Sequence, residues 1–201
     1  INSAGKISIK LREDDDIIFA GLIEDVTKEE IMIATKDGYC TRFLTDTIRS
    51  TGRNSMGVKA ITLRKDDGVV SAMLIKNPDT DILTITENGY GKRTRLEEYP
   101  QYNRGGKGVI NIKTTEKTGK VVSVVEALED EELMCITSSG VVIRTSMSEI
   151  SRIGRATQGV RIMKVKEDEK VAAITKIKSE DDDEKVETPE LTMPLPLKLE
   201  E

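Results

Sequence analysis

The chain has no histidine and no tryptophan among its 201 residues, and its aromatics stop at four tyrosines and two phenylalanines. Without histidine it lacks the commonest general base and the commonest metal ligand. A core with 3% aromatics has to be aliphatic. Cysteine is scarce too. Cys40 and Cys135 form no Cys-x-x-Cys pair, so they read as small strand residues in a reducing compartment rather than a metal or redox site. No apolar run approaches the roughly 18 residues of a membrane helix, and nothing resembles a signal peptide, so a soluble cytoplasmic protein is expected. The sequence opens at Ile1 rather than at a methionine, which points to a fragment or a processed product.

The net charge of -5 hides a division. Residues 1–178 carry 29 Lys and Arg against 27 Asp and Glu, whereas residues 179–201 carry 2 against 9. A weakly basic body is joined to an acidic tail. The tail's composition predicts disorder, with either a solubilising role or competition for a basic surface.

What the body does contain is a repeat. Arg53, Arg104 and Arg155 are spaced by 51 residues, as are Gly57, Gly108 and Gly159, and Arg42, Arg93 and Arg144. A fixed period of this length marks one supersecondary unit copied and stacked. The copies fall at about 1–50, 51–101, 102–152 and 153–178, the last of them partial. Cations that return at one phase predict a periodic positive track, suited to an extended polyanion.

Each copy predicts four strands. An alternating stretch follows the glycine, as in Gly108-Val109-Ile110-Asn111-Ile112-Lys113. A charged turn leads to a second strand at 17–23, 69–75, 121–127 and 171–177, and a third at 31–35, 82–86 and 133–137. Asp37-Gly38, Asn88-Gly89 and Ser139-Gly140 then predict hairpins into a fourth strand at 39–44, 90–96 and 141–145. Turns such as Lys65-Asp66-Asp67-Gly68 would close a hairpin between the first and second strands of one copy. Four antiparallel strands per copy, set side by side, give an all-β, propeller-like array of three full blades and a partial one.

Between copies lie Thr51–Gly57, Tyr102–Gly108 and Ile153–Gly159, rich in glycine and each holding one arginine. Glycine lets backbone approach a ligand and frees amide donors, and the arginine supplies attraction, which suits a phosphate backbone. The acidic run Glu13-Asp14-Asp15-Asp16 reads as a solvated turn rather than a metal site. Tyr39, Tyr90, Tyr99 and Tyr102 have no neighbouring pattern of a nucleophile.

Gln101-Tyr102-Asn103-Arg104-Gly105-Gly106-Lys107-Gly108, Asn88-Gly89-Tyr90-Gly91-Lys92-Arg93-Thr94 and Gly154-Arg155-Ala156-Thr157-Gln158-Gly159-Val160 resemble the C-terminal DNA-wrapping domain of DNA gyrase A, part of a type IIA topoisomerase. The resemblance spans residues 1–178. It implies a β-pinwheel, a propeller-like ring whose blades exchange strands. It implies non-specific binding and wrapping of double-stranded DNA in support of ATP-dependent negative supercoiling. The implied partners are the N-terminal region of gyrase A and the gyrase B polypeptide in an A2B2 holoenzyme, in the bacterial, nucleoid-associated cytoplasm. No cofactor and no activity are expected of this chain alone, because the cleavage tyrosine, Mg²⁺ and ATP sites of such enzymes lie elsewhere. The chain departs from the family where Tyr102-Asn103 stands in place of a basic pair, and where the box-like segment falls in a later copy than the first.

The expected DNA-binding residues are Arg42, Arg93 and Arg144 on the blades, and Arg53, Arg104 and Arg155 between them. The box-like glycines Gly105, Gly106 and Gly108 join them, with Lys59, Lys92, Arg95, Lys107, Lys113, Arg161 and Lys164 as supporting cations. No metal site is expected. Two alternatives stay open: the related topoisomerase IV domain, which favours decatenation, and a protein-binding propeller, whose repeats normally carry the tryptophan or paired aromatics this chain lacks.

Overall fold

A computed structural model describes residues 5–178; the acidic tail lies outside the described residues. Eleven strands carry almost all the regular structure among them. β1 (Glu30–Thr35) and β2 (Tyr39–Leu44), β4 (Asp81–Thr86) and β5 (Tyr90–Arg95), and β8 (Glu131–Thr137) and β9 (Val142–Ser146) form three hairpins. Each hairpin turns at the Xaa-Gly pair that the sequence marks, with the glycines at φ 86, 76 and 84. Second strands are β3 (Val69–Ile75), β7 (Val121–Ala127) and β11 (Val171–Lys178). First strands shrink to two residues, β6 (Val109–Ile110) and β10 (Val160–Arg161).

The sheets cut across the copies. They run β3-β1-β2-β6, β10-β5-β4-β7 and β11-β8-β9. A complete sheet takes its central hairpin from one copy, its second strand from the next, and its first strand from the copy after that. This is the strand exchange that the family resemblance implies. It corrects the expectation of a hairpin between the first and second strands of one copy. Val109–Ile110 pairs with Tyr39 and Cys40, whereas Val121–Ala127 pairs with β4, so the turn between them joins two sheets. Lys65–Gly68 likewise closes no hairpin, and there Asp66 rather than Gly68 takes positive φ, at 60°.

Three stretches expected as strands, the segment after Gly5, 17–23 and the segment after Gly57, are irregular. By the exchange rule their partners would belong to a preceding copy. Ile7, Ile17, Ile18 and Leu22 are accordingly exposed.

Successive sheets pack face to face over two aliphatic cores. The first gathers Met32, Met73, Ile75, Ile82, Leu96, Tyr99 and Ile112, and the second Leu83, Ile85, Leu133, Met147, Ile150 and Met163. The middle strand β4 serves both, because neighbouring side chains of a strand point to opposite faces. Ile82 enters one core, Leu83 and Ile85 the other, and all six β4 residues are buried. Cys40 and Cys135 are free thiols inside these cores. Burial pushes their thiols up to about 12 and about 11, which leaves them protonated.

The spaced glycines Gly108 and Gly159 have a steric reason. Each sits at positive φ, 69° and 77°, where the chain turns in beside a blade laid down earlier. A Cβ on Gly108 would stand 2.4 Å from the Cys40 carbonyl oxygen, and one on Gly159 2.7 Å from that of Gly91. Only glycine admits both the turn and the approach.

Candidate nucleic-acid interface

The repeated basic residues divide by what holds them. Arg42, Arg93 and Arg144 face a column of acids at the same period: Glu30, Asp81 and Glu132. Arg42 Nε lies 3.0 Å from Glu30, Arg93 NH1 lies 3.3 Å from Asp81, and Arg144 pairs with Glu132. The register sets Arg42 opposite Met32 and Arg93 opposite Leu83, so each pair is a diagonal cross-strand contact. These arginines balance their own blades.

Arg93 corrects the sequence expectation most sharply. It is 4% exposed, and its guanidinium also donates to the carbonyls of Ile150 (2.9 Å) and Ser148 (3.4 Å). Arg152, which no column of the repeat marks, adds a second cation 2.8 Å from Asp81. Arg93 has no surface to offer a phosphate.

Lys92 is corrected in the same way. It is 0% exposed, and its Nζ donates to the Gly154 carbonyl at 2.6 Å. With Thr94 Oγ1 donating to Ile153 O at 2.7 Å, the successive side chains of Lys92, Arg93 and Thr94 all donate to carbonyls of the 150–154 segment.

Arginines of the junction segments are held differently. Arg104 donates from Nε to Thr47 O (3.1 Å) and from NH1 to Lys59 O (3.3 Å). Arg155 NH1 donates to Ile110 O at 2.8 Å, the equivalent carbonyl one period on. Glu98 accepts from the backbone N–H of Arg155, not from its side chain. Arg53 is exposed and lines a hollow together with Lys6, Ile7, Asn54 and Ser55. A carbonyl orients a guanidinium without cancelling its charge, whereas a carboxylate does both. The 53/104/155 column therefore stays positive and the 42/93/144 column is neutralised.

The Gly105 amide is not free as expected. Gly105 N donates to Ala60 O (2.6 Å), and the Gly105 and Gly106 carbonyls accept from Thr62 Oγ1 and N (2.7 Å each). They lash the junction to the preceding first-strand segment, which brings Lys59 and Lys107 to one place. Arg64 joins them. Its guanidinium lies 3.2 Å over the Tyr39 ring and donates to Lys107 O at 3.0 Å. No periodic signal marks Arg64, because the next copy has Thr115 at that phase.

The remaining expected cations are exposed: Lys59, Arg95, Lys107, Lys113, Arg161 and Lys164. Arg95 pairs with Glu97 at 3.3 Å, and Arg161 donates to the Tyr90 hydroxyl at 2.9 Å. Lys113 enters its junction through its backbone N–H, which donates to Thr157 O at 2.8 Å. Basic groups are thus carried at each of three successive blade junctions.

Sheets that share strands across a 51-residue repeat, with a cationic segment at each joint, define a propeller-like β-repeat protein of the strand-exchanging kind. The family model for the DNA gyrase C-terminal domain, a beta-propeller, matches residues 1–24, 29–76, 80–126 and 131–178. The chain belongs to that family. Each of the last three matches runs from the third strand of one copy through the second strand of the next. The chain is 42% identical over 185 residues to the gyrase A polypeptide of Staphylococcus aureus strain MRSA252, covering 92% of the chain and 21% of that protein. The same identity and coverage hold for that of strain NCTC 8325. The chain spans about a fifth of the length of the curated relatives it matches.

Among solved structures, the DNA gyrase A C-terminal domain superposes with a TM-score of 0.77 at 27% identity, over 86% of this chain and 58% of the other. The C-terminal domain of DNA topoisomerase IV superposes at 0.80 and 23% identity, over 87% and 54%, a likeness of fold. No helix among the described residues is long and apolar enough to cross a membrane.

Proposed function

We propose that the three junctions form a track for the phosphate backbone of duplex DNA, and that the chain bends DNA as part of a gyrase. The observation that carries this reading is the contrast between the two arginine columns. Arg53, Arg104 and Arg155 recur at successive joints with their charge uncancelled, while Arg42, Arg93 and Arg144 are balanced by carboxylates. Arg64, Lys59, Lys107 and Lys113 add charge beside them.

Contacts to phosphates fix position without reading bases, so binding is non-specific. Each neutralised phosphate releases counterions, and 6–10 of them would make affinity fall about 10³–10⁵-fold between roughly 50 and 200 mM salt. Bending 20–30 bp by 40–90° costs on the order of 1–6 kcal/mol, so the joints must act together. In the holoenzyme, with the rest of gyrase A and with gyrase B, the bent segment would be presented for strand passage, and ATP hydrolysis elsewhere would drive negative supercoiling.

The test is a duplex titration with donor and acceptor dyes at the ends, using wild type and Arg53→Gln. Arg53 is the column member whose removal breaks no backbone bond. Reduced bending and a shallower salt slope are expected. An unchanged slope would remove the column from the interface.

A further inference from the structure

Lys92 does something the repeat does not ask for. Its counterparts one period before and after are Thr41 and Ile143, so the blade is built without a cation there. Yet Lys92 lies fully buried with its Nζ 2.6 Å from the Gly154 carbonyl. Three titratable or charged groups face it: Glu98 of the turn after β5, Arg155 of the junction, and Cys40 of β2. Glu98 attracts the ammonium and Arg155 repels it. Cys40 is a neutral thiol, pushed up to about 12 by burial. No ion pair with a described carboxylate compensates the ammonium, and burial draws its pKa down to about 8.

A buried cation without a direct ion pair opposes folding. The hydrogen bond does not explain its presence, because the Gly154 carbonyl also accepts from Thr157 Oγ1 at 3.0 Å. A methionine would fill the same space without the desolvation cost. What a methionine would not supply is charge directly under the Gly154-Arg155 backbone. A charge in a low-dielectric interior is screened less than one in solvent, so its field reaches the outer face of the segment above it.

We infer that Lys92 is a positioning residue for the junction around Arg155: a buried cation that raises the positive potential of that segment without touching DNA, at a cost in stability. The inference rests on the reading of the junctions as DNA contacts. It makes the chain's DNA affinity depend on one proton. Histidine is absent, and burial holds the Cys40 and Cys135 thiols protonated well above neutral pH.

Lys92→Met and Lys92→Arg test it, with duplex affinity measured at low salt from roughly pH 6.5 to 9.5 and thermal midpoints measured in parallel. Wild-type affinity should fall about threefold to tenfold across the range, the effect of one weakly screened charge. The methionine variant should bind at all pH values as wild type does at high pH, with an equal or higher thermal midpoint. The arginine variant, charged throughout, should hold high affinity without the pH step.

Equal binding by wild type and the methionine variant would overturn the role while leaving the DNA reading intact. Weaker binding with a lowered midpoint would also overturn it, because Lys92 would then be plain structural support. Failure of wild type to bind any duplex at low salt would instead sink the DNA reading itself, and this role with it.

Discussion

Arg93 and Asp81 are buried together with their charged atoms 3.3 Å apart, one period after the partly exposed Arg42–Glu30 pair. The same column is an interior brace in one blade and a more open pair in its neighbour. Arg93→Met should leave Asp81 with Arg152 alone and cost about 3 kcal/mol in urea unfolding. DNA affinity at a matched folded fraction should stay near wild type. Lost affinity with unchanged stability would return Arg93 to the interface.

Close approach, more than turn geometry, fixes Gly108. Gly105 also has positive φ, 87°, but a Cβ there meets nothing nearer than 3.8 Å. Gly108→Ala should therefore cost about 1–3 kcal/mol more than Gly105→Ala, the usual range for forced overpacking. Equal denaturation midpoints for the two variants would contradict the tight entry beside Cys40.

Much of this fold was legible in the sequence. Most second, third and fourth strands fall within a residue or two of their expected limits, because alternation and Xaa-Gly turns are local signals. Partner choice is not local. A period gives the phase of each strand but not the sheet it joins, so Val109–Ile110 and Val121–Ala127 look like one hairpin and belong to two sheets. The fate of the arginines was half legible. Glu30, Asp81 and Glu132 share the period of Arg42, Arg93 and Arg144, a charge pairing open to view in the sequence. That Arg104 and Arg155 rest on carbonyls required the backbone itself. So did the burial of Lys92, which is written with the same letter as the exposed Lys107.

Leu83 is 0% exposed at the centre of the second core. Leu83→Ala should cost about 2–5 kcal/mol. It should loosen the packing of the second sheet on the third more than that of the first on the second, as hydrogen exchange across β3 and β8 would reveal. Equal loosening on both sides would mean that the two cores are not separate.

The pH dependence of stability follows from Lys92 with a definite sign. Its folded pKa, about 8, lies below the ordinary lysine value of 10.5 because burial disfavours the ammonium. Between those values the unfolded chain binds more protons, so stability rises with pH. The penalty is complete below about pH 8 and is relieved as pH climbs toward the unfolded value near 10.4. Urea midpoints at about pH 7 and pH 10 should diverge in wild type and converge in Lys92→Met. A wild-type midpoint that moves in step with the variant's would place the ammonium in solvent.

DNA is held to follow the junction arginines and not the blade arginines. The salt slope of duplex binding separates the two, measured for Arg53→Gln and for Arg42→Gln combined with Glu30→Gln, which removes a balanced couple. The slope should fall by about one unit for Arg53→Gln and stay unchanged for the balanced pair. A slope that falls for the blade pair and holds for Arg53→Gln would contradict the assignment.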